Sequence, residues 1–178
     1  GFTITTKVCD AYNKNSQQLP ASLAADVKRN IAMLEKELAK NFGDKQNPLL
    51  VSVRSGAAVS MPGMMNTILN LGLNDVSVNG LAEGTQNPRF AYDAYRRLIN
   101  MFGDVVMEID HKHFEEAFNK IKKQYRVKND TDVPTEGLVK LCQEYKKVYR
   151  KFAGHPFPQD PYSQLELAIE AVFASWNT

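Results

Sequence analysis

The sequence predicts an α+β, predominantly helical fold, in which a small α/β lobe of residues 1–72 precedes a helical lobe of residues 73–178. Residues 49–54 form a short apolar run bounded by a proline and a glycine, which is typical of a buried strand. From about residue 63 onward, apolar residues recur at the three- and four-residue spacing of helices that bury one face. This change of period indicates two lobes within the chain.

The first lobe is predicted to place helices ahead of the strand. Residues 2–5 are strand-like, and a short helix is expected to begin at Thr5 or Thr6. Regularly spaced leucine, valine and isoleucine residues then predict an amphipathic helix over residues 21–42, which Gly43 ends. We therefore expect the loop after the buried strand to be surrounded by strands and a helix.

The second part of the chain is expected to be helical almost throughout. A short helix is predicted over residues 64–71, closed by Gly72, and another over residues 75–82. Gly103 is predicted to end or bend one of the later helices, and Gly154 to stop another. The start signals of the later helices are Asn87-Pro88, Asp110, Pro134 and Asp160-Pro161.

The composition excludes several classes of protein. Lysine and arginine number 22 against 20 acidic residues, and a formal net charge of +2 does not point to nucleic acid or an anionic membrane. No apolar run reaches the roughly 18 residues of a membrane span. Cys9 and Cys142 lack metal-binding spacing, so we expect buried or idle thiols in a cytoplasmic protein. Because the chain begins at Gly1 without methionine, we expect it to come from a longer protein.

A candidate phosphate-binding site follows the buried strand. Arg54 ends the strand, and a guanidinium at the edge of a core needs a carboxylate, solvent or an anionic ligand. The next nine residues, 55–63, contain glycines, a proline and hydroxyls but no carboxylate. Amide N–H groups in such a loop, and a helix beginning near Gly63, can point at phosphate oxygens. Local chemistry also allows a structural ion pair at Arg54 in a common turn.

Other polar residues have simpler interpretations. The histidines at positions 111, 113 and 155 are predicted to be surface residues, because zinc or phosphohistidine chemistry needs further ligands or a dedicated environment. Arg96 and Arg97 are expected to divide between a solvated face and an intramolecular ion pair. The loop at residues 130–132 lacks the glycine and glutamate of an EF-hand, so we predict a solvated loop.

Long segments of the chain resemble one family. They are Ser52-Val53-Arg54-Ser55-Gly56, Met61-Pro62-Gly63-Met64-Met65, Asn70-Leu71-Gly72-Leu73-Asn74-Asp75, Asn87-Pro88-Arg89-Phe90-Ala91-Tyr92-Asp93-Ala94-Tyr95-Arg96-Arg97 and Ala171-Val172-Phe173-Ala174-Ser175-Trp176. With these segments, the chain resembles pyruvate, phosphate dikinase over essentially its whole length. Relatives that make phosphoenolpyruvate from water and ATP lack the Met-Pro-Gly-Met-Met signature.

The resemblance implies a large modular enzyme that uses Mg²⁺ to convert ATP, phosphate and pyruvate to AMP, pyrophosphate and phosphoenolpyruvate. Its amino-terminal nucleotide domain, of the ATP-grasp type, would phosphorylate a histidine on a swivelling central domain. That histidine would carry the phosphoryl group to a pyruvate site in a carboxyl-terminal barrel. The chain resembles only part of the nucleotide domain, and the parent protein is expected to be a homodimer.

The resemblance also assigns roles to individual residues. Arg54 matches the arginine that binds the triphosphate, and it would neutralise charge on the transferring phosphoryl group. The family's loop whose backbone would cover the phosphates corresponds in this sequence to Ser60, Met61, Gly63 and Met64. One position departs from the pattern, since Asn66 stands where the family is expected to have aspartate. That change removes a negative charge beside the phosphate site and puts any metal or ion-pair role of the position in doubt.

The remaining parts of the nucleotide site are expected outside this chain. The resemblance places the nucleotide-binding lysine before Gly1 and the acidic metal ligands after Thr178, so no metal ligand is predicted here and the chain alone is expected to be inactive. Two alternatives stay open. The helical lobe could be a docking or scaffold module that positions the phosphohistidine domain, or the parent could be a related enzyme of the phosphoenolpyruvate synthase type.

Overall fold

The computed structural model describes residues 1–56, 65 and 67–176. Within these ranges the fold is α+β and predominantly helical, as the sequence predicts. The helices are α1 (Thr6–Lys14), α2 (Ala21–Leu38), α3 (Ser77–Thr85), α4 (Pro88–Val105), α5 (His111–Tyr125), α6 (Thr135–Ala153) and α7 (Pro161–Ser175). The strands are β1 (Asn41–Phe42), β2 (Pro48–Leu49), β3 (Val51–Val53) and β4 (Ile68–Leu71), and a short 3-10 helix spans Asp130–Asp132. None of the helices in these ranges combines the length and apolar character that crossing a bilayer requires.

The strands form two separate pairs. β1 and β2 are parallel, whereas β3 and β4 are antiparallel with Val51 opposite Leu71 and Val53 opposite Ile68. The predicted strand over residues 49–54 is therefore divided between two sheets at Leu50. Because each part pairs with a different partner, the apolar run alone did not reveal the division.

The helix predicted over residues 64–71 is wrong, because Ile68–Leu71 is a strand. Ile68 and Leu71 are both fully buried, and their three-residue spacing imitates one face of a helix. In the strand, Asn70 has a left-handed backbone with φ of 64°, which breaks the usual alternation of side chains. Two residues three positions apart therefore both reach the core.

Three other boundaries differ from the predictions. Residues 2–5 are not a strand, and α2 ends at Leu38 instead of reaching residue 42. Ala39 adopts a left-handed conformation that ends α2, and the chain then enters β1. The helix predicted over residues 75–82 runs over Ser77–Thr85. Such shifts are expected at helix ends, where apolar periodicity carries the least information.

The later helices begin where their start signals predict. The side chains of Asn87, Asp110 and Asp160 each accept a hydrogen bond from a main-chain N–H in the first turn of α4, α5 and α7. Gly103 lies inside α4 and does not end it. A Cβ at this position would lie 2.4 Å from the ring of Phe114, so the glycine makes room for that ring. Gly154 stops α6 with a φ of 80°, as predicted.

Helix α4 lies at the centre of the packing. It contacts α3, α5, α6 and β4, and four of its fully buried side chains are Tyr95, Leu98, Ile99 and Phe102. The buried residues of the α/β part and of the helical part belong to one hydrophobic cluster. The division of the chain after residue 72 stays a prediction, and the buried hydrogen bond from the N–H of Gly72 to Gln164 of α7 crosses that point.

Candidate phosphate-binding site

Arg54 lies directly after β3 and is exposed to solvent. Among the described residues, no carboxylate lies within ion-pair distance of its guanidinium, whereas Arg96 and Arg97 both pair with Asp93. An arginine presents five N–H donors in a planar fork that matches phosphate and carboxylate oxygens. The side chain of Arg54 is therefore available to an anion, as far as the described part of the chain shows.

The β3–β4 pair sets where Arg54 emerges from the core. Val53, the residue before Arg54, lies opposite Ile68, whose side chain is fully buried. Antiparallel pairing with a buried partner anchors the backbone immediately ahead of the arginine. The guanidinium is thus carried at the end of a strand whose position is decided by core packing.

The other predicted site residues lie outside the described ranges. Ser60, Met61, Gly63 and Met64 belong to residues 57–64, and Asn66 is likewise not described. The helix expected to begin near Gly63 is replaced by a strand at Ile68–Leu71, and residues 65 and 67 are not helical. The prediction that the dipole of a helix over residues 64–71 contributes to the site is therefore wrong.

Helix α7 is bonded to both ends of the β3–β4 pair. At the end of β4, the N–H of Gly72 donates to Oε1 of Gln164 at 3.0 Å, and Nε2 of Gln164 donates to the carbonyl oxygen of Leu73 at 2.9 Å. Beyond the end of β3, the indole Nε1 of Trp176 donates to Oγ of Ser55 at 3.1 Å. Sequence reasoning missed these contacts because their partners lie far apart in the chain and carry no local signal.

A second polar cluster lies beside a cleft of about 220 Å³ between α3, α4 and α6. The Nζ of Lys146 donates to both carboxylate oxygens of Asp75 at 2.6 and 2.7 Å, and the hydroxyl of Tyr95 donates to Oδ1 at 2.9 Å. Burial raises the pKa of Tyr95 well above its usual range and that of Cys142 to about 12, so both are neutral at physiological pH. Because the charged groups satisfy each other, we interpret the cluster as structural.

The histidines predicted to be surface residues make ordinary contacts. His111 lies 3.7 Å from a carboxylate oxygen of Asp104, and His113 stacks on Phe152 with ring centroids 4.0 Å apart. His155 is exposed and meets Tyr149 edge to face. No group of three histidine, cysteine, aspartate or glutamate side chains that could hold a metal ion is found over residues 1–56, 65 and 67–176.

The arginine pair on α4 divides as predicted. Arg96 is buried, lies over the ring of Phe118 at 4.8 Å and pairs with Asp93 at 2.7 Å, whereas Arg97 is 59% exposed and pairs with the other oxygen at 2.9 Å. Burial of Asp93 opposes its ionisation, but the Arg96 and Arg97 guanidiniums hold its pKa below the usual range. Both arginines therefore have an internal carboxylate partner, unlike Arg54 within the described residues.

Comparison with known proteins gives one consistent result. The family described as pyruvate phosphate dikinase, AMP/ATP-binding domain, matches residues 5–178. The pyruvate, phosphate dikinase of Giardia intestinalis is 54% identical over 177 residues, which are 99% of this chain and 20% of that protein. The Clostridium symbiosum enzyme is 49% identical, covering 99% of this chain and 20% of its own length. The chloroplastic pyruvate, phosphate dikinase 1 of Arabidopsis thaliana is 49% identical, covering 100% of this chain and 18% of its own length. The chain thus spans about a fifth of these curated relatives.

Proposed function

Because the chain belongs to the pyruvate phosphate dikinase AMP/ATP-binding domain family, we propose that it supplies one wall of an ATP triphosphate site. The observation that carries this proposal is the exposed guanidinium of Arg54 at the end of β3, without a carboxylate partner among the described residues. A cation held this way binds phosphate oxygens without first breaking an internal ion pair.

The proposed chemistry is charge neutralisation at the transferring phosphoryl group. Phosphoryl transfer needs little covalent help from the protein, and its catalysis comes mainly from positioning and electrostatic stabilisation. Arg54 would offer parallel N–H donors to the phosphate oxygens as negative charge shifts toward the leaving group. The main-chain N–H groups of Ser60, Met61, Gly63 and Met64 would complete the cover over the phosphates.

The parent protein is proposed to be a pyruvate, phosphate dikinase. It would interconvert ATP, pyruvate and phosphate with AMP, phosphoenolpyruvate and pyrophosphate through a phosphohistidine on a central domain of the same chain. Support comes from the family match and from relatives of that name that are about five times longer. In this proposal residues 1–72 belong to an ATP-grasp nucleotide domain, residues 73–178 form its helical subdomain, and the parent is a cytoplasmic homodimer with a carboxyl-terminal pyruvate domain.

Magnesium would be held by acidic groups of the parent protein outside this chain. Mg²⁺, when bound, supplies positive charge to the phosphates of ATP. The contribution of this chain is the guanidinium of Arg54, which would act on the same phosphates without being a metal ligand.

The test is Arg54→Ala in the full-length protein. We expect phosphorylation of the carrier histidine by ATP and phosphate to slow by at least about a hundredfold, because one preorganised cation or donor is typically worth that much. Exchange between pyruvate and phosphoenolpyruvate should be unchanged, because that half-reaction uses another domain.

Arg29→Ala is the matched control. Arg29 is an exposed arginine on α2 that pairs with Asp26, so its loss removes the same charge at another place. The control should leave both half-reactions within about twofold of the unmodified enzyme, as surface substitutions usually do. An unchanged ATP half-reaction in Arg54→Ala would refute the assignment.

A further inference from the structure

Helix α7 runs along the β3–β4 pair and is attached at both of its ends. Gln164, in the first half of α7, is fully buried and bonds to Gly72 and Leu73 just beyond β4. Trp176 caps the other end of α7 and bonds to Ser55 just beyond β3. About 18 Å of helix separates the two attachment points at ~1.5 Å per residue. A helix is stiff over that length, so α7 holds Trp176 at a set distance from the buried attachment at Gln164.

The hydrogen bond between Trp176 and Ser55 has a defined direction. An indole N–H is a donor only, so the hydroxyl oxygen of Ser55 must accept. The hydroxyl proton of Ser55 is then left to donate elsewhere, and no described group accepts it. Because Ser55 follows Arg54 directly in the chain, that donor belongs to the same stretch as the exposed guanidinium.

We propose that Trp176 is a positioning residue, which holds the Ser55 hydroxyl as a hydrogen-bond donor toward the phosphate oxygens that Arg54 binds. This inference rests on the proposed function of Arg54 and extends the site to a residue on α7. The ligand class is the same, a nucleoside triphosphate with its terminal phosphates at the end of β3. Ser55 would contact the anion, and Trp176 would act through Ser55.

A positioning role differs from a structural one in what its loss changes. Trp176 is 47% exposed, and its bond to Ser55 lies at the surface. A neutral hydrogen bond at a solvated site adds little to the free energy of unfolding, because water replaces it readily. Loss of this bond should therefore change use of ATP much more than it changes thermal stability.

The experiment compares Trp176→Phe, Ser55→Ala and the double variant in the full-length protein. Trp176→Phe keeps an aromatic ring and removes the donor, whereas Ser55→Ala removes the hydroxyl itself. We expect Trp176→Phe to lower kcat/KM for ATP in the histidine-phosphorylation half-reaction by about two- to tenfold, the range for one neutral hydrogen bond. Ser55→Ala should lower it by about ten- to a hundredfold, because its hydroxyl would donate to a charged phosphate. The double variant should lose no more than Ser55→Ala alone, because both changes break one connected unit.

Tyr92→Phe is the matched control, since it deletes another surface hydrogen bond, from the Tyr92 hydroxyl to Oδ1 of Asn79 at 3.0 Å. Tyr92→Phe should leave kcat/KM for ATP nearly unchanged. In all variants, the rate of the pyruvate half-reaction and the melting temperature should stay nearly the same as in the unmodified protein. Multiplying losses in the double variant, equal losses in both half-reactions, or unaltered kcat/KM for ATP would each overturn the role of Trp176. If Arg54→Ala still slows the ATP half-reaction, the proposed function survives such a result; if it does not, both proposals fail.

Discussion

Replacing Gln164 by methionine should destabilise the fold strongly, because this side chain joins α7 to the end of β4. Gln164 is fully buried and makes three hydrogen bonds, accepting from the N–H of Gly72 and donating to the carbonyl oxygens of Leu73 and Pro158. Each bond contributes about 0.5–1.5 kcal/mol, and a main-chain group left unpaired in the core costs about 1–3 kcal/mol. Methionine has a similar length but makes none of these bonds. We expect the free energy of unfolding to fall by about 2–5 kcal/mol.

The measurement is thermal and urea unfolding of the 178-residue chain. For a chain of this size, the expected loss corresponds to a fall in Tm of about 5–15 °C. Gln143→Met is the matched control, because Gln143 is exposed on α6 and should shift Tm by no more than about 2 °C. A Gln164→Met variant that melts together with this control would refute the argument that buried hydrogen bonds attach α7 to β4.

Two further predictions concern the charge pair on α4 and the backbone of two glycines. Asp93→Asn leaves buried Arg96 without its carboxylate and should lower the free energy of unfolding by about 2–4 kcal/mol at pH 7. Because the folded-state pKa of Asp93 is depressed, its stabilisation is present above about pH 4 and is lost as the pH falls through that pKa, so urea unfolding should show the deficit shrinking toward pH 2. A deficit that is constant with pH would contradict the pairing. Gly154→Ala should destabilise by about 1 kcal/mol, because φ is 80° there, whereas Gly84→Ala in α3 meets no neighbouring atom and should stabilise by up to about 1 kcal/mol. Thermal unfolding that shifts in the same direction for both would contradict the assigned backbone.

Much of the helical part could be predicted from sequence, because its signals are local. The caps at Asn87, Asp110 and Asp160 each need only a side-chain oxygen and a main-chain N–H within the same turn. The stop at Gly154 needs only a residue that accepts a left-handed backbone. Such features involve residues a few positions apart, so a pattern in the sequence reports them directly.

The strands were predicted less well, because their structure depends on distant partners. Residues 68–71 resemble a helix face in the sequence, and only pairing with β3 together with the left-handed Asn70 makes them a strand. The division of residues 49–54 into β2 and β3 follows from pairing with two different strands. Neither partner choice can be inferred from apolar spacing within the segment itself.

For the candidate site, the sequence by itself determined the family and placed Arg54 at the end of a strand, because both follow from the order and type of neighbouring residues. The tertiary structure decided what surrounds that arginine. Trp176 on α7 reaches Ser55 beside Arg54. That contact joins residues 121 positions apart, and local sequence carries no record of which distant side chains meet.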